Sequence, residues 1–270
     1  MGLGDNSPWT FTPTEEEFVR KKAFLSVVTA ATVLAAAAVA LAGPNLVQVA
    51  EIGLTSKKVG KPTGIAAVLS HTDPDAQPPG NIPATIKIVV NLPSGTRVND
   101  NAAPQCNVSS TDLANAKCPE STLVGTGKAK ANVVFGAEGP VEEVDADVTA
   151  FNREGGLGLR VVSRTEATVP STTIPIIASL SPKGVLTANV PVLRPAGPTS
   201  KVILSYLSLN VKRTTKKVGR GRKRKTISLL TSPRKCSGNW TTKTVTTYDD
   251  GDSRTVPETR PCIKPPTRGR

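Results

Sequence analysis

Residues 92–134 constrain the fold of this chain more than any other part of its sequence. They contain two cysteines, Cys106 and Cys118, within a polar stretch rich in Asn, Ser, Pro and Asp. One apolar run, residues 86–92, leads into this stretch, and a second, residues 123–135, leaves it. Short apolar runs bounded by turn-forming residues are typical of β-strands. The stretch therefore predicts two strands joined by a disulfide-closed loop, in a compartment outside the cytoplasm.

The same alternation of short apolar segments and turns continues to the end of the chain. Apolar positions are mostly Val, Ala, Leu and Ile, and no segment after residue 42 has helical periodicity. Val and Ile favour pleated, half-buried surfaces. This pattern predicts an all-β fold, a β-sandwich that is either one extended sandwich or two closely packed ones. Residues 152–156 are a candidate boundary between two sandwiches, and they could equally form a hairpin turn.

Ten strands are predicted from apolar runs and their flanking turn residues. Their ranges are 64–70, 84–90, 123–135, 141–152, 158–163, 172–179, 185–191, 201–212, 226–230 and 240–248.

The N-terminal region has the pattern of an export signal. Three basic residues at 20–22 precede twenty uncharged residues, 23–42, which end in Ala-Leu-Ala before Gly43. We interpret residues 19–42 as a signal peptide cleaved between Ala42 and Gly43. Because twenty apolar residues can also span a bilayer, an uncleaved hydrophobic membrane helix remains an alternative. In both cases residues 43–270 lie outside the cytoplasm, secreted or anchored on the membrane.

Residues 1–18 precede the basic start of this signal. A signal normally begins the chain, and Val19 stands directly before Arg20. We interpret residues 1–18 as a misassigned or disordered extension and expect translation to start at Val19.

Four cysteines, all within residues 43–270, predict two disulfides. Three connectivities are possible, and pairing of sequence neighbours is favoured because each such pair brackets one turn-rich segment. The predicted bonds are Cys106–Cys118 and Cys236–Cys262. Neither pair has the spacing of a zinc site, and the chain has a single His, so no metal ligand is predicted.

Residues 212–225 are strongly basic. They hold nine basic residues in fourteen and no acid, whereas the whole chain has a net charge of +13. One interpretation is a loop that binds anionic envelope polymers or a lipid surface. The other is a solvated hairpin tip whose charges deter strand-edge aggregation. Nucleic acid is disfavoured, because an exported chain rarely meets it and no aromatic residue of the tract could stack on bases. The basic residues are Lys212, Arg213, Lys216, Lys217, Arg220, Arg222, Lys223, Arg224 and Lys225.

No catalytic or cofactor-binding residue is predicted. His71 follows a predicted strand at the start of a turn-rich segment, where a single His is typically solvated. Ser232 and Lys235 match a serine–lysine pattern, but the partner motifs of that chemistry do not occur. We therefore expect a protein that is not an enzyme and has no cofactor, and we keep an envelope enzyme of unknown reaction as the alternative.

Two motifs resemble those of a group of exported proteins. The first runs from Leu92-Pro-Ser-Gly through Pro104-Gln-Cys to Cys118-Pro, and then V-G-x-G-x-A at residues 124–129. The second is L-x-S-P-x-x-C at residues 230–236, followed by the last cysteine, Cys262. Together they resemble uncharacterised exported β-rich proteins of actinobacterial type. The resemblance implies a sandwich-like protein of the cell envelope with a structural or binding role.

Overall fold

Strands dominate the described part of the chain, in agreement with the all-β prediction. The computed structural model describes residues 40–42, 46–73, 76, 82–136, 140–164, 171–195 and 197–264. The predicted extension 1–18 and the predicted hydrophobic helix, apart from its last three residues, lie outside these ranges.

Among the described residues, no helix combines the length and the apolar character that a bilayer-spanning segment needs.

Seventeen strands form from the described residues. In chain order they are β1 (Ala40–Ala42), β2 (Leu46–Leu54), β3 (Pro62–Thr63), β4 (Ile65–Thr72), β5 (Thr85–Asn91), β6 (Arg97–Val98), β7 (Leu123–Phe135), β8 (Val141–Arg153), β9 (Gly156–Ser163), β10 (Thr173–Leu180), β11 (Val185–Asn189), β12 (Ser200–Val211), β13 (Thr215–Val218), β14 (Lys225–Ser228), β15 (Leu230–Thr231), β16 (Asn239–Tyr248) and β17 (Ser253–Pro261). One short helix, α1 (Ser110–Ala114), lies between β6 and β7.

Each predicted segment contains strand, although residues 226–230 divide into β14 and β15, and among the longer strands β2 and β17 were not predicted. In β2 the polar Gln48 interrupts the apolar pattern, yet it is fully buried and donates to Thr246 Oγ1 at 2.7 Å. Strand β17 carries charged residues and two prolines, because it pairs only with β16 and so forms an edge of its sheet. A partner that is distant in sequence therefore stabilises β2, whereas β17 forms a hairpin with the neighbouring strand β16.

Twelve of the described strands form one antiparallel sheet, in the order β1-β2-β4-β12-β7-β8-β9-β10-β11-β5-β16-β17. The sheet curls until its edges approach each other, so that it is nearly barrel-like. At this approach a Cβ atom on Gly53 of β2 would lie 2.8 Å from Cδ of Arg260 in β17. The side chain of Arg260 therefore packs directly over the backbone of Gly53 where β2 and β17 approach each other.

The predicted sandwich is corrected by this topology. Hydrogen-bonded pairing continues without a break from β1 to β17 through these twelve strands, so they do not divide into two facing sheets, and the other five described strands form two small sheets, β13-β14 and β3-β15-β6. Residues 154–155, at the candidate boundary, form the turn between β8 and β9 of the same sheet. Alternating apolar residues show that one face is buried, but they do not show what covers it. The far side of a curled sheet buries that face as well as a second sheet does.

A bulge keeps the inner face of β12 apolar along its whole length. The pairing of β12 with β7 shifts register between Leu204 and Tyr206. As a result, Leu204 and Leu207 both face inward although they are three residues apart. The serine between them, Ser205, donates from its hydroxyl to the carbonyl of Lys130 at 3.1 Å.

Strand β7 approaches β12 closely at its glycines. A Cβ atom on Gly127 would lie only 1.9 Å from the carbonyl oxygen of Ser208. Any larger residue there would push the two strands apart.

The strands of the large sheet run between two ends that differ in their loops. The disulfide end carries residues 92–122, between β5 and β7, and residues 212–238, between β12 and β16. The cavity end carries the β7–β8 turn and residues 190–199, between β11 and β12. The inner face near the disulfide end is filled by large side chains, among them Leu157, Leu230 and Trp240.

Both predicted disulfides are present, and both lie at the disulfide end. Cys106–Cys118 closes the loop that contains α1, with its Cα atoms 5.5 Å apart. Cys236–Cys262 links the segment before β16 to the end of β17, with a Cα separation of 5.9 Å. Both separations fall in the usual range for disulfides. Two disulfides are consistent with an extracytoplasmic location.

Asn152 anchors the first disulfide loop to the sheet. Its side chain is fully buried, and Nδ2 donates to the carbonyls of Asp100 (2.7 Å), Ala103 (3.1 Å) and Pro104 (3.1 Å). The backbone carbonyl of Asn152 accepts a hydrogen bond from the backbone amide of Cys106 at 2.8 Å. A buried amide that satisfies several loop carbonyls fixes the path of the loop.

Candidate functional site

Small side chains line the inner face of β7 and β8 toward the cavity end. In β7, inward-facing Ala129 and Ala131 alternate with Lys128 and Lys130, and Ala146 of β8 also faces inward. This alternation follows from the period of two in a β-strand. Alanine covers the backbone but does not reach far into the interior. Space therefore remains inside the curled sheet next to the wall that β7 and β8 form.

The alternate residues of these two strands form an ionic outer face. Lys128 pairs with Asp147, and Lys130 Nζ lies 2.6 Å from Glu143 Oε1. The hydrogen bond from Lys128 lowers the pKa of Asp147, and the bond to Glu143 raises the pKa of Lys130. All four side chains are exposed or nearly so, and exposed pairs of this kind contribute little to stability. The outer face therefore keeps the wall soluble while the inner face stays apolar.

The interior next to this wall is a cavity of about 480 Å³. The neighbouring strands β9, β10 and β12 also line it, with Val161, Ile174, Ile176 and Leu204 among the lining residues. These four side chains face inward yet are only half-buried, because they border the open volume. Protein interiors are normally packed with few voids larger than a water molecule. A volume of this size with an apolar lining is in the range of about 300–1,000 Å³ found for small-molecule sites.

The polar lining residues are all at the cavity end. Ser163 ends β9, Thr172 precedes β10, Thr85 begins β5, and Arg194 lies in the β11–β12 connection. Thr85 is 3% exposed, and its Oγ1 has no hydrogen-bond partner among the described residues. A buried hydroxyl without a partner is costly, and a ligand group that hydrogen-bonds to it would offset that cost.

Arg194 places a positive charge at the rim. Its side chain is exposed, and Nη1 donates to the carbonyls of Pro198 (2.5 Å) and Ser200 (3.5 Å). Within the described part of the chain, no carboxylate forms an ion pair with it. The backbone carbonyls thus hold the guanidinium in place without neutralising it.

A second, smaller cavity continues the interior toward the disulfide end. Its volume is about 60 Å³, and it shares Ile88, Leu159, Ala188 and Leu207 with the larger one. All of its lining residues are apolar. The interior therefore becomes narrower and wholly apolar with depth.

A buried polar network ties β2 and β4 to β16 across the inside of the sheet. The Tyr248 hydroxyl donates to Gln48 Oε1 at 3.2 Å, and it lies 2.9 Å from Nδ1 of His71. Because the hydroxyl has only one proton, a neutral His71 donates to it from Nδ1. Burial raises the pKa of Tyr248, and burial lowers the pKa of His71 from 6.5 to about 4.

The predicted solvated position of His71 is wrong. Strand β4 extends to Thr72, so His71 continues the inward series of Ile65 and Leu69 and is 2% exposed. The period of two, carried two residues further, would have placed it inside.

The basic tract 212–225 is largely a hairpin at the disulfide end. Strands β13 and β14 pair with each other, and a turn of 3-10 helix, Gly221–Lys223, joins them. The described basic side chains of the tract are exposed, and none of them pairs with an acid among the described residues. Polyanion binding by this hairpin remains a prediction.

A basic cleft that the sequence did not reveal lies at the same end. Its volume is about 570 Å³, and the lining includes Arg97, Lys183, Arg234 and Lys235 but no acidic residue. These four cations come from three separate segments of the chain. Only their spatial proximity produces the positive cleft, and no local motif could have indicated it.

Two further positions named from the sequence are Ser232 and Ala42. Ser232 is 1% exposed and donates to the carbonyl of Lys58 at 2.6 Å. Ala42, the predicted cleavage position, ends β1, and Gly43 lies outside the described residues. Across the described ranges, no three His, Cys, Asp or Glu side chains lie close enough together to hold a metal ion.

The fold and its interior define an antiparallel β-protein with a largely apolar cavity open at one end of a curled sheet. No family model, curated protein or solved structure matches the chain significantly. The geometry of the cavity and the charges around it are therefore the features that indicate a function.

Proposed function

We propose that this is an exported binding protein of the cell envelope, without catalytic activity, whose curled sheet encloses an apolar small molecule. The observation that carries the proposal is the cavity of about 480 Å³, with half-buried apolar side chains facing an unfilled interior. Transfer of apolar ligand surface into such a site is favourable by about 25 cal/mol per Å² before the costs of binding. A ligand would also cover the side chains that the protein leaves half-exposed.

The export part of the proposal is supported by the N-terminal sequence and by both disulfides. The resemblance to exported actinobacterial proteins agrees with it. Mass spectrometry of the protein from its native host tests this location. The expected mature chain is secreted and starts at Gly43, which removes β1 and leaves β2 at the edge of the sheet, or it retains residues 23–42 as an anchor. It has no free thiol in either case. Four free thiols would contradict export.

Titration with N-phenylnaphthylamine, an uncharged fluorophore, tests the cavity. We expect a saturable rise in fluorescence on binding to the full chain. Ala131→Phe, which places a ring inside the cavity, should abolish saturable binding. Thr126→Phe, on the exposed outer face of the same strand, is the matched control and should bind as the native protein does. Unchanged binding in Ala131→Phe would show that the cavity is not the site.

A second candidate function is contact with anionic envelope polymers or an anionic lipid surface through the disulfide end. The observation in its favour is that the basic hairpin and the basic cleft lie at the same end of the sheet. Each basic residue near an anionic surface contributes about 1 kcal/mol, which salt screens.

Sedimentation with phosphatidylglycerol vesicles tests this second function, with phosphatidylcholine vesicles as reference. Changing Lys216, Lys217, Lys223 and Lys225 to Gln should release the protein from anionic vesicles. Changing Lys87, Lys128, Lys130 and Lys243 to Gln removes the same charge elsewhere and should have a much smaller effect. Equal losses in both variants would indicate general charge attraction instead of a site.

A further inference from the structure

The cavity is polar at one end and apolar at the other, and this asymmetry says what kind of molecule fits it. Every polar residue of the lining lies at the cavity end. Toward the disulfide end the walls are apolar, and they continue into the second cavity beyond Leu159 and Leu207. A molecule that is apolar throughout would leave the Thr85 hydroxyl without a hydrogen-bond partner and the Arg194 charge without a counter-ion. A molecule that is polar throughout would be desolvated against the deep walls.

The charge at the rim selects the sign of the polar group. Arg194 is the only charged side chain among the lining residues that the structure describes, and it forms no ion pair with the described acids. A guanidinium offers several donors in a plane, which suits a carboxylate or a phosphate. The unpartnered hydroxyl of Thr85 lies in the wall at the same end and can add one more hydrogen bond.

We propose that the ligand is an anionic amphiphile with one aliphatic chain. The chain extends through the cavity toward the disulfide end, and the carboxylate or phosphate head lies at the rim, where Arg194 supplies the charge and Thr85 a hydroxyl. This inference rests on the proposed binding function and adds the chemical class and the orientation of the ligand.

Displacement of bound N-phenylnaphthylamine from the full chain tests the class of ligand. The competitors are palmitate, lysophosphatidic acid with the same chain, and cetyl alcohol, which has the chain without the charge. We expect at least one of the acids to displace the fluorophore at a concentration about ten-fold lower than the alcohol does, as one charge-assisted contact provides. The tighter of the two acids identifies the head group.

Two variants test the site of the head group. Arg194→Gln should raise the required concentration of the preferred acid about ten-fold and leave that of the alcohol unchanged. Thr85→Val, which keeps the shape of the side chain, should weaken the same acid by a smaller factor. Arg164→Gln is the control, since Arg164 is exposed near the same end and pairs with Asp147 at 3.8 Å on the outer face.

The outcomes separate this inference from the function on which it rests. If the native protein does not bind the fluorophore, the proposed binding function itself fails. If the fluorophore binds but acids and alcohol compete equally, the cavity binds apolar molecules and the anionic class is wrong. If Arg164→Gln weakens the acid as much as Arg194→Gln does, the head group is not held at the rim by Arg194.

Discussion

The two ends of the large sheet fill a curled interior in different ways. At the disulfide end, large side chains such as Leu157 and Trp240 fill the inside, and two disulfides hold the loops. At the cavity end, alanines face an open volume of about 480 Å³. The difference suggests a division of roles, in which the packed end keeps the strands in place while the other end leaves room for a ligand. A binding site is most effective when rigid elements support it.

The largest expected effect tests whether the packed end is the source of stability. Replacing Cys236 and Cys262 together with Ser should lower the free energy of unfolding by about 3.5 kcal/mol, because the unfolded chain gains the entropy of a long open loop. Urea unfolding followed by tryptophan fluorescence measures this loss. Fluorophore binding by the folded protein should be unchanged. A loss below about 1 kcal/mol would mean that packing alone holds this end.

Acid should lower the stability of the protein through His71, which contacts Tyr248 near the cavity end. Its pKa is lowered by burial from 6.5 to about 4, so the unfolded state binds a proton that the folded state does not bind between these values. Stability is therefore full above pH 6.5 and falls as the pH drops toward 4, by up to about 3 kcal/mol.

Urea unfolding at pH 7 and pH 5 measures this dependence, with about 2 kcal/mol expected between the two. His71→Gln should remove most of it. Because the chain has a single His, no other imidazole contributes to this pH range. An equal pH dependence in the native protein and in the variant would show that His71 is not the group responsible.

The anchor of the first disulfide loop should have the next largest effect. Asn152→Ala leaves three loop carbonyls without their donor and should cost about 2–3 kcal/mol in urea unfolding. Asn210→Ala, at an exposed position of β12, should change stability by less than about 0.5 kcal/mol. If the two variants are equally stable, the loop does not depend on Asn152.

The smallest expected effect comes from enlarging one alanine in the packed interior and one that lines the cavity. Ala150 of β8 is fully buried and does not line either cavity within the sheet, whereas Ala131 of β7 lines the larger one. Ala150→Leu should destabilise the protein by about 1–2 kcal/mol through overpacking. Ala131→Leu should cost much less, because its added atoms enter open space. Thermal unfolding of both variants measures the difference, and equal losses would mean that the cavity end is as tightly packed as the other.

Local features of the chain were predicted well because they need no distant partner. The apolar runs that became β7 and β8 are visible in the sequence, and so is the pairing of neighbouring cysteines, Cys106 with Cys118 and Cys236 with Cys262. The basic tract was also visible, although its binding role is still to be tested. Features that combine distant segments were missed, such as the burial of Gln48 against Thr246.

The sequence alone determined most of the longer strands, favoured the observed disulfides and showed the alternation of Ala with Lys in β7, because each of these depends on residues close together in the chain. Tertiary structure decided that twelve strands form one curled sheet and that β2 and β17 approach each other at Gly53. It also decided that small side chains such as Ala129 and Ala131 face an unfilled interior. It also brought Thr85 and Arg194 to the same rim. The physical reason is that a period of two shows which side chains share a face, whereas the volume enclosed by that face depends on how strongly the sheet curls.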